Sequence, residues 1–173
     1  MINVYYTSKG TDLSQKILID VLENRVGIED AEKKLRVGKN GKPYIFGDEI
    51  FFNLSHTNGF TIVAVAPYPV GADVENINRK IDFSAVAKRW FLPRENENIR
   101  SAEDFFALWT KKESAVKFLG GDLIRLLSSI YFTDEIPRGV PALDGAKTMT
   151  RRFGDFVFSL TAKDVKDITL LPL

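Results

Sequence analysis

The sequence predicts an α+β protein built from two related lobes, and three observations predict it. Apolar stretches of strand length and segments at helical spacing both occur in each half of the chain. A strand–turn–strand segment, Asn58 to Val65, is loosely echoed by Phe153 to Leu160. Between these copies Pro67-Tyr68-Pro69 interrupts the chain, because neither proline can donate to a sheet ladder. The division expected from that break is an N-terminal lobe over 1–67 and a C-terminal lobe over 68–173.

Taken in order, Ile2 to Tyr6 reads as a strand. Leu13, Ile17, Leu18, Val21 and Leu22 fall at helical spacing behind a cap at Thr11 or Asp12. Gly38 to Pro43 is rich in turn residues and reads as a loop. Phe51 to Ser55 and Phe60 to Ala66 flank Asn58-Gly59, a strong hairpin signal. Val70 to Glu75 starts a further strand. Ile81 to Phe91 and Ala102 to Leu119 read as helices, the second long and strongly apolar. Beyond it Ile130 to Thr133, Thr148 to Arg152 and Phe156 to Thr161 are strand candidates.

Composition narrows the chemistry. The 173 residues are 45% apolar, enough to bury a sizeable core. Lys and Arg number 24 against 23 acidic residues, so no global field calls for a nucleic acid partner, and any electrostatic specificity must be local. There is no cysteine and a single histidine, His56, which argues against structural zinc, disulfides and a cysteine nucleophile. Met1 to Tyr6 lacks the basic start and apolar stretch of a signal peptide, and no apolar run approaches the ~20 residues that span a bilayer. A soluble, cytoplasmic protein is the expectation.

Asp73 and Glu75 lie two apart on a strand, so both face one side while Ala72 and Val74 face the core. Two carboxylates so placed can converge on a hard divalent cation. Alone, such a pair is more often the polar face of a half-exposed strand. Trp109, Glu113 and Lys117 share one stripe of the long helix. Glu113 could act as metal ligand or base and Lys117 as phosphate neutraliser or acid, although an ordinary surface salt bridge is the commoner reading. Ser55 and His56 do not form a nucleophile–base pair, because neighbours on a strand face opposite sides. His56 fits either a phosphate contact or a structural role, and Lys42 beside Pro43 fits any solvated loop.

Four pieces in this order resemble the Sfp-type phosphopantetheinyl transferase family. They are Gly41-Lys42-Pro43, Phe52-Asn53-Leu54-Ser55-His56, Gly71-Ala72-Asp73-Val74-Glu75, and Trp109-Thr110-Lys111-Lys112-Glu113-Ser114-Ala115-Val116-Lys117. The resemblance implies two pseudo-twofold-related lobes with the active site in the cleft between them. It implies a magnesium ion held by Asp73, Glu75 and Glu113 against the pyrophosphate of coenzyme A. It further implies Lys42 and His56 at the nucleotide end, with Ser55 beside His56, Lys117 near the pyrophosphate and Lys112 nearby. Glu113 and Lys117 would be the catalytic pair, and the partner an acyl or peptidyl carrier protein that supplies the attacking serine. The segment Lys88-Arg89-Trp90-Phe91, with Lys111 and Lys112, could steer and anchor that carrier, unless the aromatics are simply core. One chain would suffice as a monomer, without nucleic acid or membrane. A magnesium-dependent nucleotide or phosphodiester hydrolase using the same carboxylates, and a non-catalytic module binding coenzyme A or carrier, remain as alternatives.

Overall fold

Local chemistry sets most of the element boundaries. The computed structural model describes residues 1–8 and 13–173, so the cap expected at Thr11 or Asp12 lies outside the described residues. The chain runs through β1 (Ile2–Thr7), α1 (Ser14–Asp20) with a π-helical extension (Val21–Val26), α2 (Ala31–Lys34), β2 (Leu35–Val37), β3 (Pro43–Ile45), β4 (Phe51–Thr57) and β5 (Phe60–Ala66). It continues through β6 (Val70–Asn76), α3 (Phe83–Trp90), α4 (Pro93–Asn96), α5 (Ala102–Leu119) and α6 (Leu123–Leu126). It closes with β7 (Tyr131–Thr133), β8 (Ile136–Arg138), β9 (Lys147–Phe153), β10 (Phe156–Ala162) and β11 (Ile168–Pro172).

The expected helix over Ile81 to Phe91 begins later, at α3, because the Asp82 side chain accepts a hydrogen bond from the Ala85 N–H and so sets the first turn. Helix α5 has the expected bounds. Ser101 caps it by accepting from the Asp104 N–H at 3.1 Å, and Gly120 ends it in the left-handed region at φ +62°.

The strands form a four-stranded sheet, β11-β1-β5-β4, and a three-stranded sheet, β6-β10-β9, with two short hairpins besides. Each large sheet holds an antiparallel hairpin whose second strand pairs antiparallel with an earlier strand, β1 on β5 and β6 on β10. The echoed segments of the sequence are the turns and second strands of these two hairpins. Pro67 to Pro69 links β5 to β6, and hence one sheet to the other. The last strand, β11, returns to lie parallel to β1, with Ile168 opposite Ile2.

One apolar core draws on both sheets: Ile2 and Val4, then Phe60, Ile62 and Ala64, face Val70, Ala72, Val74, Phe158 and Leu160. On the far side of β5, Val63 and Val65 pack with Ile17, Leu18 and Leu22, so all seven β5 residues are buried. On the far side of the second sheet, α5 lies over a face of small and hydroxyl residues. Thr110 meets Ser159 at 2.9 Å and Ser114 meets Thr161 at 2.8 Å, while Thr148 and Thr150 extend the same chains of hydroxyls. Among the described residues no helix is long and apolar enough to cross a membrane.

Candidate active site

Strand β4 is an edge of the first sheet and β6 an edge of the second, and side chains rather than a backbone ladder join them. From Asn53 onward the seam-facing residues of β4, Asn53, Ser55 and Thr57, are polar where an apolar strand would carry Val or Ile. Asn53 Oδ1 accepts from the Ala72 N–H at 2.8 Å, Ser55 Oγ accepts from the Val74 N–H at 3.2 Å, and Thr57 Oγ1 donates to Glu75 Oε2 at 3.2 Å. These contacts satisfy the edge amides of β6, which would otherwise be buried without partners. They also hold Asp73 and Glu75 inside the seam, where both are buried. Burial overturns the half-exposed polar face as an account of this pair.

Helix α5 completes the seam because Gly71 lets it approach β6 closely. A Cβ on Gly71 would overlap the Ser114 carbonyl oxygen and the Phe118 amide. Glu113 and Lys117, one turn apart, then reach the carboxylates of β6. Lys117 Nζ lies 2.6 Å from Asp73 Oδ1, 3.1 Å from Ser55 Oγ and 3.8 Å from Glu113 Oε2, and the Ser55 hydroxyl donates to Asp73 Oδ1 at 2.8 Å. Trp109, on the same stripe, packs instead against Phe105 and Phe91, anchoring the helix one turn before Glu113.

The electrostatics follow from crowding. Burial, then the negative charge of Asp73, pushes Glu113 up to about 8. Glu75 is raised by burial and by Asp73, with Arg79 opposing. Burial works to lower Lys117, but the charges of Asp73 and Glu113 outweigh it and hold the ammonium above its ordinary range. Arg79 Nη1 pairs with Glu75 Oε1 at 2.7 Å. Asp73 Oδ2 is buried with no hydrogen-bond partner. Among the described residues no group of three His, Asp or Glu side chains is gathered ready to hold a metal ion. Cations of the chain itself, Lys117 and Arg79, lie against the carboxylates instead. A partnerless buried carboxylate oxygen flanked by two more acidic side chains fits a hard divalent cation in its donor chemistry.

His56 faces the opposite way from Ser55, as alternation on a strand requires. It is exposed and lines a cavity of about 460 Å³ with Thr57, Asn58, Glu75, Arg79 and Lys80. Arg79 and Lys80 escaped the sequence reading, since a charged turn after a strand has no pattern to distinguish it.

Two expected residues are placed otherwise. Lys42 is not a solvated loop cation: its Nζ donates to the carbonyls of Val70 at 3.0 Å, Lys117 at 2.7 Å and Phe118 at 3.3 Å. It thereby closes the C-terminus of α5, where orphaned carbonyls and the helix dipole favour a cation, although burial lowers the amine to about 8. Lys112 is not beside the carboxylates. It is fully buried on another side of α5, paired with Glu95 Oε2 at 2.7 Å, donating to the Leu127 carbonyl and lying over the Phe91 ring. An ammonium so engaged is not free to meet a phosphate, because removing it would strand the buried Glu95. Phe91 belongs to the core and Trp90 is half-buried beneath Arg89, whereas Lys88 is exposed.

Lys42→Met keeps the stem and removes the three donated bonds. We expect the unfolding free energy to fall by about 1–3 kcal/mol, measured by urea denaturation. An unchanged midpoint would remove the staple from Lys42.

Three carboxylates from a strand and a helix thus stand beside an ammonium and a cavity rimmed by Arg79 and Lys80. Residues 69–160, more than half of the chain, match the 4′-phosphopantetheinyl transferase superfamily, and the chain belongs to that superfamily. It is 36% identical over 122 residues to the 4′-phosphopantetheinyl transferase HetI of Nostoc sp., covering 64% of this chain and 51% of that one. It is 33% identical over 137 residues to the 4′-phosphopantetheinyl transferase gsp of Aneurinibacillus migulanus, covering 75% and 54%. Against the 4′-phosphopantetheinyl transferase Sfp of Bacillus subtilis the identity is 27% over 126 residues, covering 69% and 55%. The chain thus spans about half the length of these relatives.

Proposed function

We propose that this chain transfers 4′-phosphopantetheine from coenzyme A to a serine of an acyl or peptidyl carrier protein, with magnesium, releasing 3′,5′-ADP. The observation that carries this reading is the convergence of Asp73, Glu75, Glu113 and Lys117 at the seam between β4, β6 and α5. The names of the relatives support it. The fold class proposed with it is two pseudo-twofold-related lobes, 1–67 and 68–173, with β11 crossing back to the first, and coenzyme A in the cleft between them. A monomer in the cytoplasm, acting without nucleic acid or membrane, is part of the same proposal.

Asp73, Glu75 and Glu113 would hold the magnesium ion, which when bound supplies neutralisation of the crowded pyrophosphate oxygens. The carrier serine oxygen forms a bond to the β-phosphorus. The bond from that phosphorus to the bridging oxygen breaks, and the electron pair leaves on the nucleotide phosphate. Glu113, as an ionised carboxylate beside Lys117, takes the serine proton directly or through a water. Lys117, its side chain 29% exposed, neutralises the phosphate that leaves. Ser55 fixes both Asp73 and Lys117, and His56 would meet the 3′-phosphate in its open cavity. Lys42 contributes by fixing the end of α5 that carries Lys117.

Mass spectrometry of an apo carrier protein incubated with coenzyme A and magnesium tests the reaction. A mass gain equal to phosphopantetheine is expected. Phosphopantetheine released without any carrier would make the chain a hydrolase, and binding without turnover would make it a non-catalytic module. His56→Ala should weaken coenzyme A more than dephospho-coenzyme A in calorimetry, and equal losses would move the 3′-phosphate elsewhere.

A further inference from the structure

The acidic seam already contains a cation, and it is a side chain. Lys117 Nζ contacts Asp73 Oδ1 and Ser55 Oγ and stands 3.8 Å from Glu113 Oε2. An entering divalent ion would draw on the same Asp73 and Glu113 carboxylates, so its charge meets the ammonium already beside them. We propose that Lys117 is the resident counter-ion of the seam in the ligand-free protein, and that the metal enters only as this ammonium moves off Asp73 onto the phosphate of the incoming substrate. The proposal rests on the reading of Asp73, Glu75 and Glu113 as the metal centre.

Three features make the exchange physical. The backbone of Lys117 is fixed, because its carbonyl accepts from Lys42 Nζ at 2.7 Å and from the Gly120 N–H at 3.2 Å. Only the four-carbon stem is therefore left to swing. That stem is not sealed in: with 29% of the side chain exposed, the ammonium has a route outward that Lys112, fully buried in its pair with Glu95, lacks. Charge then couples the two ligands. Three carboxylates already face two cations, Lys117 and Arg79, so a dication added alone leaves an excess of positive charge in a buried place. A phosphate that draws Lys117 away and brings its own negative charge removes that excess. Metal and phosphate substrate should therefore bind far better together than apart, a linkage that must be reciprocal.

The test uses Mn²⁺ as probe, titrated by electron paramagnetic resonance at one pH into the wild-type chain, Lys117→Met and Lys117→Arg. Lys117→Met should bind Mn²⁺ alone about tenfold tighter than wild type, equivalent to roughly 1.4 kcal/mol. Lys117→Arg, which keeps the charge, should not. Coenzyme A should tighten Mn²⁺ strongly in the wild type and much less in Lys117→Met, which separates exchange of the ammonium from the mere loss of a nearby charge. Nitrogen-15 NMR of the lysine ammonium groups gives an arm that needs no variant: the hydrogen-bonded Lys117 signal should shift when Mg²⁺ and coenzyme A are added together. Mn²⁺ affinity of Lys117→Met within twofold of wild type, undiminished linkage to coenzyme A in that variant, or a Lys117 signal unmoved at saturation would each overturn the proposal. Absence of Mn²⁺ binding by every variant, with or without coenzyme A, would overturn the metal centre itself along with it.

Discussion

Gly71→Ala is expected to cost at least ~3 kcal/mol of stability, the upper end of what overpacking does, and to yield little folded protein. The added methyl group would meet backbone on the facing helix, the Ser114 carbonyl and the Phe118 amide, rather than a side chain that can turn aside. Relief requires α5 to lift from β6. Lifting it opens the hydroxyl contacts Thr110–Ser159 and Ser114–Thr161 and draws Glu113 and Lys117 away from Asp73. Chemical denaturation of the purified variant measures the effect. Native stability in Gly71→Ala would mean that helix and strand do not pack backbone to backbone.

The second large effect concerns the carboxylates. Asp73→Asn and Glu113→Gln should each reduce transfer to the carrier by ~10²-fold or more, because each removes a charge from the group proposed to hold the cation, and Glu113→Gln also removes the proton acceptor. Stability should respond in the opposite sense at Glu113. Its folded value is raised from 4.5 to about 8, so its contribution is fully present below about 4.5 and is lost as pH rises through about 8. Wild-type protein without metal should therefore lose stability across that window relative to Glu113→Gln, whose amide does not titrate. Denaturation midpoints of the two proteins at pH 5 and pH 8 decide the sign. Parallel behaviour would mean that Glu113 is not held protonated by its neighbours, and full transfer activity in both variants would remove the acidic seam from the reaction.

Local pattern made much of this protein legible. Asn58-Gly59 between apolar runs forms a hairpin because those residues suit the tight turn, and the β4–β5 pairing follows directly. Ala102 to Leu119 forms one helix because Ser101 and Gly120 supply its two ends within a few residues of sequence. Alternation on a strand places Asp73 and Glu75 opposite Ala72 and Val74 and sets Ser55 apart from His56. Each of these depends on interactions spanning a few residues, so the sequence carries them openly.

The partners of charged groups were not legible, because they are chosen across the fold. Lys112 and Lys117 lie five residues apart on one helix, yet Lys112 is buried on Glu95 while Lys117 stands among the carboxylates. The helical pattern puts Lys117 on the stripe of Glu113 and Lys112 off it, but only the positions of α4 and β6 around the helix decide what each ammonium meets. Lys42 looks like any loop cation until the end of α5 is brought beside it. The pairing of β11 with β1 joins Ile168 to Ile2 across nearly the whole chain, and no short-range signal announces it. Sequence alone determined most of the longer strands and helices and which residue types could do chemistry, since those are matters of local backbone preference and side-chain kind. Short elements such as β2, β3, α4 and β8 left no such pattern. Only the tertiary structure decided which carboxylate each cation meets, because a flexible lysine is placed by whatever packing brings within its reach.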